Sequence, residues 1–577
     1  MSLEPMTGPI RERRIITYDL EWVPGPGPLR LRTCGVWDGE RFRSYRTVRA
    51  FLDNELVHSN RGAWFFAHNA GRADMNFLLE EIANRPEYSA RIAFSGSSAF
   101  IVKVQRGHGT WTFADSLWLL KSSLAEIGKW MNHPKTGPDE DMTDDERRDW
   151  YATVPQSELE EYNRNDCVLL YDALKEFERR VNSYGGELML TLASTAMRLF
   201  RRKYLHHIIT PSKFVNHMAQ DAYAASRVEV HSRYARNGRY YDINSSFPAS
   251  MRIALPGNAL EMYSGRTPKD SAIYMARATV EVPECYLPPV PVRRGGRVFF
   301  PTGKWSGTFS HIDLQMIEDY GGKIHEIHDI VEFEPFHDLR SFAETLYEQR
   351  RISTDPVDKM ALKLLLNSLY GKFAEKEDKI QGYINPPMNI LEHLPKENQI
   401  ILGVFFRMVK IPIHHAHVPL SMAITANSRK LLTDHLRTAG EGHFHYCDTD
   451  GFSTDRIFAT SDRLGDLKEE LRFKSAEYIN AKTYCIDGKV KAKGMSLSRN
   501  QEERLRQFDL LKKGEEIEAH RMIRVRENLT RYGSLRPHEE VIRKGLSEKA
   551  FPKRYTFRDG TTRPWTIREL EKRFGKK

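Results

Sequence analysis

The sequence contains no long hydrophobic run. No stretch approaches the ~18 consecutive apolar residues that a membrane-spanning helix needs. The N-terminal residues lack the apolar core of a secretory signal. Cysteine is scarce, at five in 577 residues, and no two cysteines form a C-x-x-C pair, which argues against a disulfide framework and a thiolate zinc site. We therefore expect a protein that does not enter a membrane and that works in a reducing compartment, the cytoplasm.

Other sequence signals are also missing. The phosphate-binding loop G-x-x-x-x-G-K-[ST] does not occur, which disfavours a P-loop motor. There is no internal repeat and no low-complexity tract. The composition, 40% hydrophobic and 28% charged, is instead that of an ordinary globular protein with several domains.

Positive charge is in excess and unevenly placed. The formal net charge is +10, which alone is weak evidence for a nucleic-acid partner. Residues 501–577 hold 21 Lys and Arg against 13 Asp and Glu, a local excess of +8. This distribution predicts a C-terminal domain that faces a polyanion.

A linker is predicted at Tyr184-Gly185-Gly186, after a long helical pattern. It separates residues 1–185 from residues 186–577. The first part alternates strand-like and helical runs, which favours an α/β domain, and the second part is mixed α+β. The strand-like runs are residues 14–23, 63–67, 100–104 and 110–113.

Two acids share one face of the first of these strands. Asp19 and Glu21 are two residues apart, so an extended backbone points both side chains to the same side. Neighbouring carboxylates repel each other unless a cation lies between them. A solvated strand face is the simpler interpretation of this pattern taken alone.

Two further acids favour a metal site. Asp166 falls on the apolar stripe of a predicted helix, four residues after Tyr162, and an acid in such a place is rare unless it is paired or binds metal. Asp74 follows a strand and a glycine-containing loop. With Asp19 and Glu21, these acids offer the oxygen ligands that suit two Mg²⁺ or Mn²⁺ ions.

The order D-x-E, N-x-x-x-x-D, Y-x-x-x-D resembles the 3′–5′ exonuclease domain of family B DNA polymerases, which has an RNase H-like fold. The resemblance implies that the four acids hold two metals for phosphodiester hydrolysis and that Tyr162 orients the attacking water. The sequence departs from the pattern at Ala73, where the family has an aromatic residue. The implied single-strand contacts are Asn69, Phe77, Ser123 and Leu124, and the implied exonuclease lysine is Lys135.

A second set of acids lies in the larger part. Asp242 ends a predicted strand, and Asp448 and Asp450 lie two apart in a turn that follows another strand. Together they could coordinate two metals, although each turn alone is more often structural.

Between these acids lies a helix with a distinctive polar face. Asp355 and Pro356 predict its start. Lys359, Lys363 and Asn367 then share one face, with Tyr370 close by. A basic and aromatic stripe of this kind suits a triphosphate beneath a stacked base.

A hairpin is predicted at Asp487-Gly488. After the turn, Lys489, Lys491 and Lys493 alternate onto one face, which suits a phosphate backbone. A solvated strand edge rich in lysine is the competing interpretation. Lys482 and Tyr484 lie on the strand before the turn.

The order D-x-x-S-x-F-P, K-x-x-x-N-S-x-Y-G, Y-x-D-T-D, K-x-Y is similar to motifs A, B, C and K-x-Y of family B DNA polymerases. The resemblance implies that Asp242 and Asp450 are the main metal ligands, with Asp448 beside them. It implies that Lys482 and Tyr484 hold the primer end, and that Tyr223 and the three alternating lysines contact DNA. The implied nucleotide-binding residues are Phe247, Ser245, Ser246, Lys359, Lys363, Asn367 and Tyr370.

Three departures accompany this similarity. The usual motif A tyrosine is Phe247, the serine after D-T-D is Gly451, and the interdomain Y-x-G-G segment is Tyr223-Ala224-Ala225-Ser226. Motif C reads Asp448-Thr449-Asp450, not two adjacent acids, which disfavours a reverse transcriptase.

The expected architecture is multidomain α/β, with an RNase H-like exonuclease domain and a right-hand polymerase domain. The exonuclease domain comprises residues 1–185 and the polymerase domain residues 186–577. Within the latter we expect the palm at about 190–262 and 415–497, an insertion at about 263–337, the fingers at about 338–375, a second insertion at about 376–414 and the thumb at about 498–577.

The expected function is that of a proofreading family B DNA polymerase, with two Mg²⁺ or Mn²⁺ ions per active site. Its expected partners are template-primer DNA and dNTPs, with no membrane partner, and the protein is expected to be a monomer. The compact length resembles the protein-primed branch of phages and linear plasmids, which implies a terminal priming protein and the cytoplasm of a host. The alternatives are a template-primed family B polymerase and a catalytically inactive nucleic-acid-binding scaffold.

Overall fold

The computed structural model describes residues 2–138, 142–210, 212–265, 267–269, 272–386, 399–401, 403–411, 413–495, 497–498, 500–546 and 552–575. Among these residues, no helix is both long and apolar enough to cross a bilayer.

The N-terminal domain is built on a mixed ten-stranded sheet. Ile15–Val23 is the third strand from one edge, parallel to Trp64–Ala67 and antiparallel to Arg30–Trp37. Apolar residues alternate inward along this strand, and Tyr18 and Leu20 are buried as period-two geometry predicts. From edge to edge the strands are Gln399–Ile401, Val404–Lys410, Asp378–Ile384, Ser89–Ser95, Ser98–Arg106, Gly109–Asp115, Trp64–Ala67, Ile15–Val23, Arg30–Trp37 and Phe42–Tyr45.

The first three strands of that order come from the predicted second insertion. Asp378–Ile384 pairs antiparallel with Ser89–Ser95, from Gln381 opposite Ala93 to Ile384 opposite Ala90. A segment far along the chain therefore extends the N-terminal sheet, because the outer strand of that sheet leaves backbone groups free to pair.

Helices cover the N-terminal sheet. The longest, Gln156–Ser183, packs on the two strands that begin at Ile15 and Arg30. It ends at the predicted linker, where Gly185 has φ +88°. The hydrophobic core nevertheless continues across this point into the polymerase-like part, so the two parts share buried side chains. The other helices are Val48–Glu55, His58–Asn60, Asp74–Ala83, Leu117–Leu120, Leu124–Trp130 and Asp144–Thr153.

A second, seven-stranded antiparallel sheet forms the centre of the larger part. The helix Val418–Ala439, most of whose side chains are buried, packs beside it. The order of strands is Lys489–Ala492, Thr483–Ile486, Leu467–Asn480, Tyr234–Ile243, Gly451–Thr454, Phe444–Asp448 and Val228–Val230. Helices Leu192–Leu199, Phe200–Tyr204, Lys213–Ala222 and Ser246–Ser250 complete this region.

Two units lie between the halves of this sheet in sequence. The first is a four-stranded sheet in the order Leu255–Ser264, Lys323–Phe336, Ile273–Val282 and Gly303–Ser310, with the hairpin Val292–Arg294 and Arg297–Phe299 and the helix His311–Asp319. The second is a pair of packed helices, Asp338–Ile352 and Pro356–Ser368, followed by the turn Tyr370–Lys372.

The C-terminal region divides into two parts. In the first, Ile517–Met522 pairs with His538–Lys544, which also pairs with Gly27–Pro28 of the N-terminal domain. Helices Gln501–Lys513 and Val525–Tyr532 flank these strands. The second part, with Tyr555–Thr556, Thr562–Arg563 and Ile567–Phe574, returns to the seven-stranded sheet, where Thr561 bridges to Ser232. The predicted thumb is therefore two packing units and not one.

Candidate active sites

The first acidic cluster consists of Asp19, Glu21 and Asp166. Each offers a carboxylate oxygen within 4.8 Å of the others, and in the described chain no other three acidic, histidine or cysteine residues do so. The strand brings two of the acids and the helix Gln156–Ser183 brings the third. The predicted shared face of Asp19 and Glu21 and the inward position of Asp166 are therefore both present.

Asp74 lies beside this cluster but outside it. Its Oδ1 accepts a hydrogen bond from the backbone N–H of Leu20 at 3.2 Å. This bond holds the Asp74 carboxylate against the strand backbone at Leu20, the residue between Asp19 and Glu21. Asp74 is itself the first residue of the helix Asp74–Ala83. The sequence analysis predicted that four acids converge. In the structure three of them form the cluster, and the fourth, Asp74, is hydrogen-bonded to the strand backbone.

The first acidic cluster holds more negative charge than its surroundings balance. Burial, followed by the charge of Asp166, raises the pKa of Asp19 to about 7. Burial and the charge of Asp19 raise the pKa of Glu21 and Asp74 well above their usual range. The buried Oδ1 of Asp166 has no hydrogen-bond partner. Carboxylates in this state fit a divalent cation, which would relieve both the repulsion and the missing contact.

Lys135 and Tyr162 border the first acidic cluster. The Lys135 ammonium pairs with the carboxylate of Asp166 and donates to the Tyr162 hydroxyl at 3.0 Å. The lysine and the tyrosine that the resemblance implied thus lie beside the same acid.

Asn163 is a site residue that the sequence analysis missed. Its Nδ2 donates to the backbone oxygen of Asp19 at 3.1 Å and to Asp19 Oδ2 at 2.9 Å. Gly35 lies directly opposite Asp19 on the neighbouring strand, and a Cβ there would be 1.6 Å from Asn163 Oδ1. A glycine inside a strand is the sequence signal of such a close approach.

The residues predicted to contact single-stranded DNA differ in how exposed they are. Asn69 has φ +58° in the loop after Trp64–Ala67. Ser123 is exposed and caps the helix Leu124–Trp130 through the N–H of Glu126. Phe77 and Leu124 are only 6% and 8% exposed because both pack in the core. Neither offers an open face to DNA here, so their contacts stay predictions.

The second acidic cluster consists of Asp242, Asp448 and Asp450. Asp242 and Asp448 both pair with Gly451, from opposite sides of its strand. The backbone N–H of Ile243 also donates to the carbonyl of Asp450 at 2.9 Å. The sheet therefore brings together acids that are far apart in sequence.

Asp448 is held differently from the other two acids. Its Oδ1 lies 2.7 Å from the Lys482 ammonium, and its Oδ2 accepts from the Tyr446 hydroxyl at 3.4 Å. Burial is the largest cause of the raised pKa values of Asp242, to about 6, and Asp450, to about 7. For Asp242 and Asp450, the nearby positive charge is thus too small to offset the effect of burial.

The predicted nucleotide-binding helix is Pro356–Ser368, and Asp355 caps it through the N–H of Val357 at 2.9 Å. Lys359, Lys363 and Asn367 are exposed along it. Beyond its end, the ring of Tyr370 stacks on that of Phe247, with centroids 4.1 Å apart. The predicted polar face is therefore present, and the two aromatic residues assigned to nucleotide binding stack on each other.

A basic cleft of about 500 Å³ adjoins this helix. It contains arginines that the sequence analysis missed, at the end of the helix Asp338–Ile352. Arg350 Nη1 donates to Ser245 Oγ at 3.2 Å. The lining residues are Asn244, Tyr347, Arg350, Arg351, Lys359, Thr460, Ser461, Asp462, Lys468 and Glu469.

Ser246 faces away from the cleft. It is 1% exposed, and its hydroxyl is 2.8 Å from that of Ser428. The hydroxyl of Ser246 is therefore not directed into the cleft, and nucleotide binding by this residue stays a prediction.

The predicted hairpin is present. Ile486 pairs with Lys489, and Asp487 and Gly488 have φ +44° and +78°, as a two-residue turn requires. All three alternating lysines, Lys489, Lys491 and Lys493, are exposed. On the strand before the turn, the ring of Tyr484 lies 5.4 Å from that of Tyr446.

The segment after Tyr223 is held by two arginines. Buried Arg429 donates to the Ala224 carbonyl at 2.8 Å and to Asp313 Oδ1 at 3.0 Å. Arg293 donates to the Tyr223 carbonyl at 3.0 Å. The charge of Tyr223 also contributes to the raised pKa of Tyr370, after the larger effect of burial. This segment therefore borders the aromatic pair.

Comparison with solved structures identifies the fold. The chain superposes on Phi29 DNA polymerase complexed with primer-template DNA and incoming nucleotides with a TM-score of 0.70, at 17% identity, covering 92% of this chain and 100% of that one. Phi29 DNA polymerase complexed with single-stranded DNA gives a TM-score of 0.67 at 17% identity, with the same coverage. The fold is the multidomain α/β fold of family B DNA polymerases, with exonuclease, palm, fingers and thumb domains.

Sequence comparisons find similar DNA polymerases. The family profile described as DNA polymerase type B, organellar and viral, matches residues 135–405. A probable DNA polymerase of Ascobolus immersus is 24% identical over 531 residues, covering 78% of this chain and 42% of that protein. A DNA polymerase of Bacillus phage Nf is 25% identical over 384 residues, covering 57% of this chain and 61% of that protein. The chain spans less than half the length of the fungal relatives it matches. Over residues 135–405 the chain is thus similar to the organellar and viral type B DNA polymerases.

Proposed function

We propose that this protein is a DNA-directed DNA polymerase with a 3′–5′ exonuclease. The observation that carries the proposal is the meeting of Asp242 and Asp450, from two distant strands, beside the stacked Phe247 and Tyr370. Two separate carboxylate clusters, one in each part of the chain, support two separate activities.

Polymerisation would take place at the second acidic cluster. Asp242 and Asp450 would hold two Mg²⁺ ions, with Asp448 beside them, and these ions would lower the pKa of the primer 3′ hydroxyl and neutralise the leaving pyrophosphate. The carboxylate pair fits this role because it is short of compensating charge.

The surrounding residues would bind the substrates. Lys359, Lys363, Arg350 and Arg351 would bind the triphosphate, since guanidinium and ammonium groups form strong charge-assisted hydrogen bonds to phosphate. The ring of Phe247, stacked on Tyr370, would close the sugar side of the pocket.

Primer and template DNA would lie along the K-x-Y hairpin. Lys482 and Tyr484 would hold the primer end, and the exposed lysines after the turn would follow the phosphate backbone. Binding would therefore weaken steeply as salt rises.

Hydrolysis would take place at the first acidic cluster. Asp19, Glu21 and Asp166 would hold the metals, and Asp74 would fix the strand between the first two acids. Tyr162, with Lys135 donating to its hydroxyl, would orient the attacking water. A mispaired primer end would fray and reach this site as a single strand.

The test is a pair of substitutions assayed for both reactions. Asp450→Ala should abolish dNTP incorporation on a primer-template and spare digestion of single-stranded DNA, and Asp19→Ala should do the reverse. Loss of both activities from either folded variant would contradict two sites. A wild-type protein that binds DNA but performs neither reaction would instead support an inactive scaffold.

We further propose that replication is protein-primed. Support comes from the likeness of the chain to polymerases of Bacillus phages. The test is to incubate the enzyme with a candidate terminal protein and labelled dNTP, with no nucleic-acid primer. Covalent labelling of a protein hydroxyl supports protein priming, and extension of DNA primers alone would favour the template-primed alternative.

A further inference from the structure

Gly451, the residue directly after Asp450, has no room for a side chain. A Cβ at this position would lie 2.7 Å from Cε1 of Tyr240 and 2.8 Å from its hydroxyl oxygen. The φ of Gly451 is not in the left-handed region, so backbone freedom does not explain the glycine. Space explains it, because the Tyr240 ring occupies the volume beside the carbon that would carry the side chain.

Tyr240 reaches this place from the strand that carries Asp242. The two residues are two apart and therefore point to the same face. Asp242 pairs directly with Gly451, and Tyr240 pairs with Ser453, so the tyrosine leans diagonally across the strand pair. Its partly buried ring packs with a group of aromatic residues that includes Tyr446 and Tyr484.

The hydroxyl of Tyr240 consequently lies among the groups assigned to polymerisation. It adjoins the residue after Asp450, on a strand whose Asp242 pairs with that same residue. A phenol that keeps its proton is a hydrogen-bond donor. A donor beside a group of acids with too little positive charge stabilises their ionised form and fixes their direction.

We propose that Tyr240 is a positioning residue of the polymerase centre, whose hydroxyl occupies the space that residue 451 leaves empty and orients the carboxylates of the second acidic cluster. This inference rests on the proposed polymerase function. The inference also couples the two positions sterically. A side chain at residue 451 requires a smaller side chain than tyrosine at residue 240.

The experiment measures single-nucleotide extension of a primer-template, with kcat and KM for dNTP, in wild type and in Tyr240→Phe. The variant keeps the ring and removes only the hydroxyl. We expect kcat to fall about tenfold, as for loss of a hydrogen bond to a charged group, with KM for dNTP within about twofold. Tyr241→Phe is the matched control, since that neighbouring tyrosine points to the other face and is buried.

A second set of variants tests the pairing. Gly451→Ser alone should lower kcat at least about tenfold, because its side chain meets the Tyr240 ring. The same change should raise kcat at least about fivefold when it is added to Tyr240→Ala, because the serine then has space and returns a hydroxyl. Digestion of single-stranded DNA in each preparation shows that the protein is folded.

Each outcome decides the proposal. Wild-type kcat in Tyr240→Phe would overturn the role of the hydroxyl, and wild-type kcat in Gly451→Ser would overturn the pairing. A Tyr240→Ala/Gly451→Ser protein no faster than Tyr240→Ala would also overturn the pairing. Absence of extension by the wild type would instead count against the proposed polymerase function.

Discussion

Replacing Gly35 by alanine should impair hydrolysis and leave polymerisation intact. The added Cβ would be 1.6 Å from Asn163 Oδ1, so the asparagine must move. It then loses its hydrogen bonds to the backbone and carboxylate of Asp19, at 3.1 and 2.9 Å. A hydrogen bond to a charged group contributes about 1.5–3 kcal/mol. If this free energy is lost in the transition state, the exonuclease rate falls about 10- to 150-fold.

The assay measures digestion of labelled single-stranded DNA and extension of a paired primer with one preparation of enzyme. Gly545→Ala is the matched control, because its new methyl group meets the flexible side chain of Glu516 at 3.3 Å and makes only ordinary contacts, at 3.6 Å or more, with the backbone. Asn163→Ala should reproduce the loss without overpacking. Wild-type exonuclease rates in both Gly35→Ala and Asn163→Ala would refute the argument that Asn163 positions Asp19.

Three further predictions concern single side chains. Arg350→Ala should raise KM for dNTP about 10- to 100-fold, through loss of a charge-assisted phosphate contact, whereas Arg506→Ala, at an exposed site, should not; equal effects would contradict the assignment of the basic cleft. Lys135→Met should slow digestion of single-stranded DNA about tenfold or more without weakening DNA binding, and an unchanged rate would exclude a role for this lysine. In metal-free protein, Asp450→Asn should raise the thermal unfolding temperature at about pH 8 but not at about pH 4. The pKa of Asp450 is raised to about 7 in the folded protein, so above the ordinary carboxyl pKa its ionisation destabilises the fold. This destabilisation grows with pH to at most about 4 kcal/mol. Asp509→Asn is its exposed control, and an equal shift at both pH values would contradict the pKa argument.

Several structural elements of the two candidate sites could be predicted from short stretches of sequence. The alternation around Asp19, the cap at Asp355 and the turn at Asp487-Gly488 each depend on a few neighbouring residues, and each is present in the structure. These signals act through backbone geometry and short-range hydrogen bonds, which a sequence displays directly.

Long-range contacts were not predictable in this way. The bond between Asn163 and Asp19 joins residues 144 positions apart. The pairing of Asp378–Ile384 with Ser89–Ser95 depends on an open sheet edge that exists only after the N-terminal domain has folded. The contact that buries the Ser246 hydroxyl is made with Ser428, 182 positions away. Such features arise from packing between distant segments, for which a single sequence has no local signal.

The central claim, that two carboxylate clusters each hold divalent metal, is tested most directly by anomalous diffraction from crystals grown with Mn²⁺, primer-template DNA and an unreactive dNTP analogue. The account predicts manganese peaks between Asp242 and Asp450 and, in crystals with single-stranded DNA, among Asp19, Glu21 and Asp166. Well-ordered DNA at either cluster without manganese beside these carboxylates would contradict it.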